Sequence, residues 1–156
     1  MNSLANQPKS TMLKLVLGLV VLVTVFVFLV LYLSPINYTE DIVRGTVTVN
    51  AGSYVYYQFT VHSRAFNIYV VVSWFISGGG GNDVMIYIMD STNFINWQNG
   101  RSASAIISSW QVPRPIMGSA LPPGGTYFLV IDNSFSITSQ KNVKIEATLT
   151  YEQPRF

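Results

Sequence analysis

From Leu15 to Leu33 the chain carries no charged side chain, and no other part of the sequence holds an apolar run of this length. At about 1.5 Å per residue, a helix over this stretch reaches roughly 30 Å, the thickness of a hydrocarbon core. Its many valines disfavour a helix in water. In lipid, however, each backbone amide must be satisfied within its own segment, so the run is expected as one transmembrane helix. Tyr32 falls at one end, where an amphipathic ring suits the interface, and Lys9 and Lys14 flank the other, where long side chains reach the headgroups. Pro35 stops the helix.

Charge predicts the orientation. The leader 1–14 carries Lys9 and Lys14 and no acid, whereas the far flank opens with Glu40 and Asp41 before Arg44. The amino terminus is therefore expected in the cytoplasm, with everything beyond the span extracytoplasmic or lumenal. A cleaved secretory signal is the main alternative, ahead of a buried helix in a soluble protein. It needs an apolar stretch of roughly 7 to 15 residues and a small-x-small exit, which Tyr32-Leu33-Ser34-Pro35 lacks.

The formal charge of +2 does not describe the outer part. Of nine basic residues two lie in the leader, which leaves seven against seven acids, all beyond the span. Without a basic cluster there is no long-range field to collect phosphates, so nucleic acid is excluded as a partner. The two leader lysines read as topology signals rather than a lipid-recognition patch. With no cysteine there is neither a disulfide nor a thiolate site, and the fold must stand on its core.

From Arg44 onward the hydrophobic period is two. It is cleanest at the end, where Val143, Ile145, Ala147, Leu149 and Tyr151 alternate with Asn142, Lys144, Glu146, Thr148 and Thr150. Similar runs occur at Thr46 to Val49, Tyr54 to Val61, Phe66 to Ile76, Val84 to Asp90, Ala105 to Val112, Ile116 to Leu121 and Thr126 to Asp132. This spacing predicts an antiparallel β-sandwich of about eight strands. Asn50-Ala51-Gly52 suits a tight hairpin, Gly78 to Gly81 with Asn82 a flexible turn, and Pro122-Pro123-Gly124-Gly125 a rigid turn. Between Asp90 and Gly100, cap residues at both ends predict a helix of about two turns. The chain thus divides into a leader 1–14, a transmembrane helix 15–33, a linker 34–43, a single-core domain 44–151 and a tail 152–156.

The strand from Phe66 to Ile76 is apolar on both faces, which predicts a central position. Its second face, with Tyr69, Val71 and Phe75, would join Tyr87 and Phe128 in one apolar-aromatic surface if their strands were neighbours. That surface is either covered, by the short helix with Phe94, Ile95 and Trp97 or by another strand, or it holds a partner. The candidate binding residues are therefore Tyr69, Phe75, Tyr87 and Phe128.

Pro122 to Ser136, with Gly124-Gly125, Tyr127, Asp132-Asn133 and Ser136, then Lys141 and the last strand, is similar to the C-terminal segment of the GOLD domain. That β-sandwich is found in p24 cargo receptors and Sec14-like lipid-transfer proteins. Trp74-Phe75-Ile76 with Gly81-Asn82-Asp83-Val84, and Val47 to Tyr56 around Ala51-Gly52-Ser53, resemble two further segments. The resemblance covers roughly 44 to 151 and implies a β-sandwich used for protein contacts, sometimes near lipid, without catalysis. The p24 proteins also have a C-terminal span, a coiled coil, a cytosolic sorting tail and a cysteine pair. This chain has none of these, so a cargo-receptor role does not carry over. At the corner, Asp132 and Asn133 are expected to bond backbone amides two residues on, and Lys141 to pair with Asp132 as an exposed ion pair worth under about 1 kcal/mol.

No residue set specifies a chemistry. His62 is the only histidine, so a zinc site would need a rare carboxylate-rich set of ligands. No Gly-x-Ser-x-Gly accompanies it for a serine triad. Asp83, Asp90 and Asp132 sit at strand ends, where turn and cap roles account for them; with Glu146 they are the acids available to a glycosidase. Together with Asn82, Asn93 and Asn133 they are the candidates for a calcium rim, although no spacing matches an EF-hand loop. Asn37-Tyr38-Thr39 matches a glycosylation sequon but lies too near the span to be reached. No cofactor or enzyme activity is expected. The expected function is a membrane-anchored module that binds a protein, either a different chain or a second copy of itself. The alternative is a subunit of a membrane oligomer or a pilin-like filament with the apolar helix as its core. A glutamate near the start of the span, which such subunits often place there, is missing.

Overall fold

A computed structural model describes residues 7–77, 83–110 and 116–156. It contains two compact units, 1–36 with 154–156 and 37–153. The first is built on helix α1 (Gln7–Leu33), which takes in part of the leader. By length and composition its segment Ser10–Leu33 can cross a membrane. The side chains from Ser10 to Leu33 are exposed on all sides, so the helix has no face turned to a protein core. Thr24 and Ser34 donate their hydroxyls to the Val20 and Val30 carbonyls at 2.8 and 2.6 Å, so both hydroxyl protons are satisfied within the helix.

The second unit is an antiparallel β-sandwich of eight strands, β1 (Ile36–Val49), β2 (Tyr54–Thr60), β3 (Phe66–Ser77), β4 (Met85–Asp90), β5 (Ile107–Trp110), β6 (Ile116–Ala120), β7 (Thr126–Asp132) and β8 (Lys141–Gln153). One sheet has the order β1-β8-β3-β6 and the other β2-β7-β4-β5. Apart from β4 to β5, each successive pair of strands lies in different sheets, the arrangement of a jelly roll. The inward residues of β3 and β8, among them Val70, Val72, Trp74, Ile145 and Leu149, meet Ile86, Ile88, Leu129 and Ile131 from the other sheet in one core.

Two expectations change. Residues 34–43 are not a free linker: β1 begins at Ile36, and its early half was hidden because an edge strand with mostly exposed side chains shows no clean alternation. Asn50-Ala51-Gly52 does make a tight turn, with Ser53 N–H donating to the Asn50 carbonyl at 3.2 Å and Gly52 at φ +69°. That turn is no hairpin, because β1 and β2 belong to different sheets. The Gly78 to Gly81 turn with Asn82 lies outside the described residues.

The short helix α2 (Ser91–Gln98) forms where the caps predict it. The Asp90 carboxylate accepts from the Asn93 backbone N–H at 2.8 Å. At the other end Gly100, at φ +65°, donates to the Trp97 carbonyl at 3.0 Å and Arg101 to the Asn96 carbonyl at 2.9 Å, closing a Schellman motif.

β1 is fastened to β8 by side chains as well as by the sheet. The Tyr151 hydroxyl donates to the Glu40 carboxylate, and the Tyr151 ring stacks on Tyr38 at 5.1 Å. That hydrogen bond, followed by desolvation and the charge of Glu40, pushes the Tyr151 phenol up to about 12 from its ordinary value of 10.0. The folded chain therefore keeps a proton that the unfolded chain releases. The resulting stabilisation is fully present below the ordinary value and is lost as pH rises through the folded one. Alkaline absorbance titration should show Tyr151 ionising late, and Glu40→Gln should return it toward the ordinary tyrosine range. Ionisation of Tyr151 alongside the exposed tyrosines would refute the contact.

Candidate functional site

The sandwich has two outer faces, and they are finished differently. On the β2-β7-β4-β5 sheet, α2 lies over the outward residues Met89, Val130, Phe128 and Tyr87 and forms a second small core. Phe94 stacks on Phe128 with ring centres 4.1 Å apart, and Trp97 contacts Tyr87 at 6.0 Å and Tyr54 edge-on at 4.8 Å. Burial, with a smaller contribution from the charge of Asp132, raises the Tyr87 phenol above the ordinary tyrosine range.

On the β1-β8-β3-β6 sheet no described helix or strand takes that place. β3 is an interior strand, yet Tyr69 remains 45 % exposed and Phe75 40 %. Val71 lies between them, and Ile116, opposite Ser73 on β6, is 77 % exposed. The Tyr69 ring lies across Gly118, where an added Cβ would stand 2.6 Å from Tyr69 Cε1; the glycine thus allows the ring to lie flat along the sheet edge.

An apolar groove of about 360 Å³ crosses this face, lined by Arg44, Gly45, Ser73, Phe75, Ile116, Lys144 and Glu146 among others. Gly45, at φ +149°, leaves its end of the groove open, since nothing lies within 4 Å of where a Cβ would stand. The guanidinium of Arg44 bridges two acids, with Nε 3.0 Å from the Asp41 carboxylate and Nη2 2.8 Å from that of Glu146. The hydrogen bond to Arg44 holds the Asp41 carboxyl below the usual range, and the same bond raises Arg44. Lys144, opposite Phe75 on β8, is exposed and makes no ion pair among the described residues. A ligand entering the groove therefore meets an apolar floor, two acids that share the single Arg44 guanidinium and, among the described residues, a Lys144 ammonium outside any ion pair.

The four predicted binding residues do not share one surface. Tyr69 and Phe75 lie on the outer face of the β1-β8-β3-β6 sheet, whereas Tyr87 and Phe128 lie under α2 on the other sheet. Alternation reports which residues share one face of one strand, but it is silent on which strands share a sheet. Arg44, Ile116 and Lys144 were missed. The signal for Lys144 was present, because β8 alternates cleanly and its polar side had to lie beside the second face of whichever strand paired with it.

At the corner after β7, Ser134 N–H donates to the Asp132 carboxylate at 2.8 Å, the predicted Asx contact. Asn133 is fully buried and reaches further: its Nδ2 lies 3.3, 3.1 and 2.9 Å from the carbonyls of Val49, Asn50 and Ser139. Lys141 is not an exposed partner of Asp132. It is buried, 1 % exposed at its side chain, and ion-pairs Asp83 at 2.8 Å. Asp90 caps α2, so Asp83, Asp90 and Asp132 each have a local structural partner, and no group of three or more metal-ligating side chains occurs among the described residues. His62 is exposed in the turn between β2 and β3.

No family model matches the chain, and no curated protein matches it in sequence. Solved structures with a similar arrangement include a chain of the Bacillus endospore appendages, a novel family of disulfide-linked pili, at 11 % identity over 77 % of this chain and 91 % of that one, with a TM-score of 0.46. Another is Aeromonas hydrophila PliG, a periplasmic inhibitor of g-type lysozyme, at 13 % identity over 77 % and 89 %, with a TM-score of 0.37. A third is an arabinose-bound α-L-arabinofuranosidase, of which this chain spans 23 %, at 11 % identity over 78 % of this chain and a TM-score of 0.35. None of the three is a GOLD domain, and the resemblance to that family rests on the sequence segments alone.

Proposed function

We propose that the chain is a single-pass, membrane-anchored binding module, with its amino terminus in the cytoplasm and its sandwich outside, that holds a protein partner near the bilayer without catalysis. The observation that carries this reading is the contrast between the two outer faces. An interior strand keeps Tyr69, Val71 and Phe75 exposed on one sheet, while the equivalent surface of the other is sealed by a helix. Exposed aromatic rings beside an aliphatic residue supply binding area at small entropic cost. The partner that fits is an extended segment whose apolar side chains lie along Phe75 and Ile116 and whose carboxylate reaches Lys144.

A photo-crosslinking side chain placed at Phe75 in the full chain in native membranes should capture one specific adduct. Lys144→Glu should abolish it while leaving the circular dichroism unchanged. An adduct that survives Lys144→Glu, or none at all, would contradict the proposal. The mass of the adduct separates the second reading, since a mass equal to two copies of this chain would point to an oligomer or filament. That reading is favoured by α1 being apolar on every side, as a helix packed among its own copies would be.

A further inference from the structure

The tail after β8 does not stay with the sandwich. Pro154, Arg155 and Phe156 belong with α1 in the first unit. Phe156 stacks on Tyr32 with ring centres 5.4 Å apart and planes 15° from parallel, and Tyr32 stacks in turn on Phe28 at 5.8 Å and 10°. Phe28 and Tyr32 are one helical turn apart, so the tail extends a ladder of three rings along one side of the last two turns. All three rings remain exposed on their outer sides. Beside them the Arg155 Nε–H donates to the Ser34 carbonyl at 2.8 Å. A cation there is favoured by the negative end of the helix dipole.

We propose that Pro154–Phe156 form a second attachment to the bilayer, in which Phe156 and Tyr32 lie in the interfacial layer and the Arg155 guanidinium holds a lipid phosphate. The proposal rests on the reading of α1 as a membrane span. The ligand follows from continuity: the rings extend the apolar surface of the span to its end, at the depth where aromatic side chains are enriched in membrane proteins. Only Nε of Arg155 is engaged among the described residues, which leaves the two terminal nitrogens as a planar fork suited to a phosphate. The polypeptide leaves the interface at β1 and returns to it after β8, so the binding module is tied to the membrane at both of its ends.

The natural chain contains no cysteine, so single-site labelling is direct. Nitroxide labels at Pro154→Cys, at Leu22→Cys in the middle of α1 and at Thr60→Cys on exposed β2 can be compared in the full chain, reconstituted in vesicles of mixed phosphatidylcholine and phosphatidylglycerol. Accessibility is read as collision with a water-soluble nickel chelate against collision with oxygen. The Pro154 label should be several-fold less accessible to the chelate than the Thr60 label, and adding Arg155→Ala and Phe156→Ser should bring it to the Thr60 value. A Pro154 label as accessible as Thr60, or one unmoved by those two substitutions, would overturn the second attachment while a protected Leu22 label left the span intact. A Leu22 label reached by the chelate would overturn both.

Discussion

Asn133→Asp is expected to destabilise the sandwich by at least about 3 kcal/mol, although it changes the side chain by little more than one atom. The amide nitrogen of Asn133 faces the carbonyl oxygens of Val49, Asn50 and Ser139 in a site with no solvent exposure. It ties the turn before β2 to the loop before β8, while its own N–H donates to the Ser53 carbonyl at 2.9 Å. An aspartate would set a buried carboxylate oxygen against those carbonyls, with repulsion added to the cost of desolvating the charge. It would escape only by taking up a proton, so its folded-state pKa would rise. Stability is then retained at low pH and lost as pH rises through that value, which makes the deficit larger at neutral pH than in acid. Denaturant unfolding at the two conditions measures it. A deficit under about 1 kcal/mol at neutral pH would show that the corner is not a structural joint.

Asp83→Ala should also be severe, at about 3 kcal/mol, and worse than Lys141→Met. The two groups form one ion pair at 2.8 Å, but the Lys141 side chain is 1 % exposed and that of Asp83 27 %. Removing the carboxylate takes the Asp83 counter-charge from an ammonium group held away from water. Removing the ammonium leaves a carboxylate that water can reach, and methionine fills much the same volume as the lysine stem. Unfolding midpoints of the two variants test this order. If Lys141→Met proved the more damaging, lysine would be serving the core by something other than this pair.

Much of the architecture was legible in the sequence because it is written in local periods. The strand from Lys141 alternates through its length, and α2 is bounded by an Asp90 cap and a Gly100 that can adopt positive φ. What lay beyond reading was pairing between distant strands. Phe128 and Phe75 carry the same pattern within β7 and β3, yet one is roofed by Phe94 and the other faces outward, because their strands fall in opposite sheets. The buried role of Lys141 was hidden for a related reason. A lysine at the start of a strand reads as exposed until Asp83, 58 positions away, is seen beside it. The early half of β1 was hidden because Asn37 to Asp41 present exposed side chains on both sides of the edge strand.

The central claim is that the outer face of the β1-β8-β3-β6 sheet, where Tyr69, Phe75 and Ile116 are exposed, and not the helix-covered one, is where a partner is held. Photo-crosslinkers at Phe75 and at Ile95, an exposed residue of α2, can be compared in the same native membranes. The account predicts a discrete adduct from Phe75 and only diffuse background from Ile95. The same adduct from both positions, or one from Ile95 alone, would contradict it.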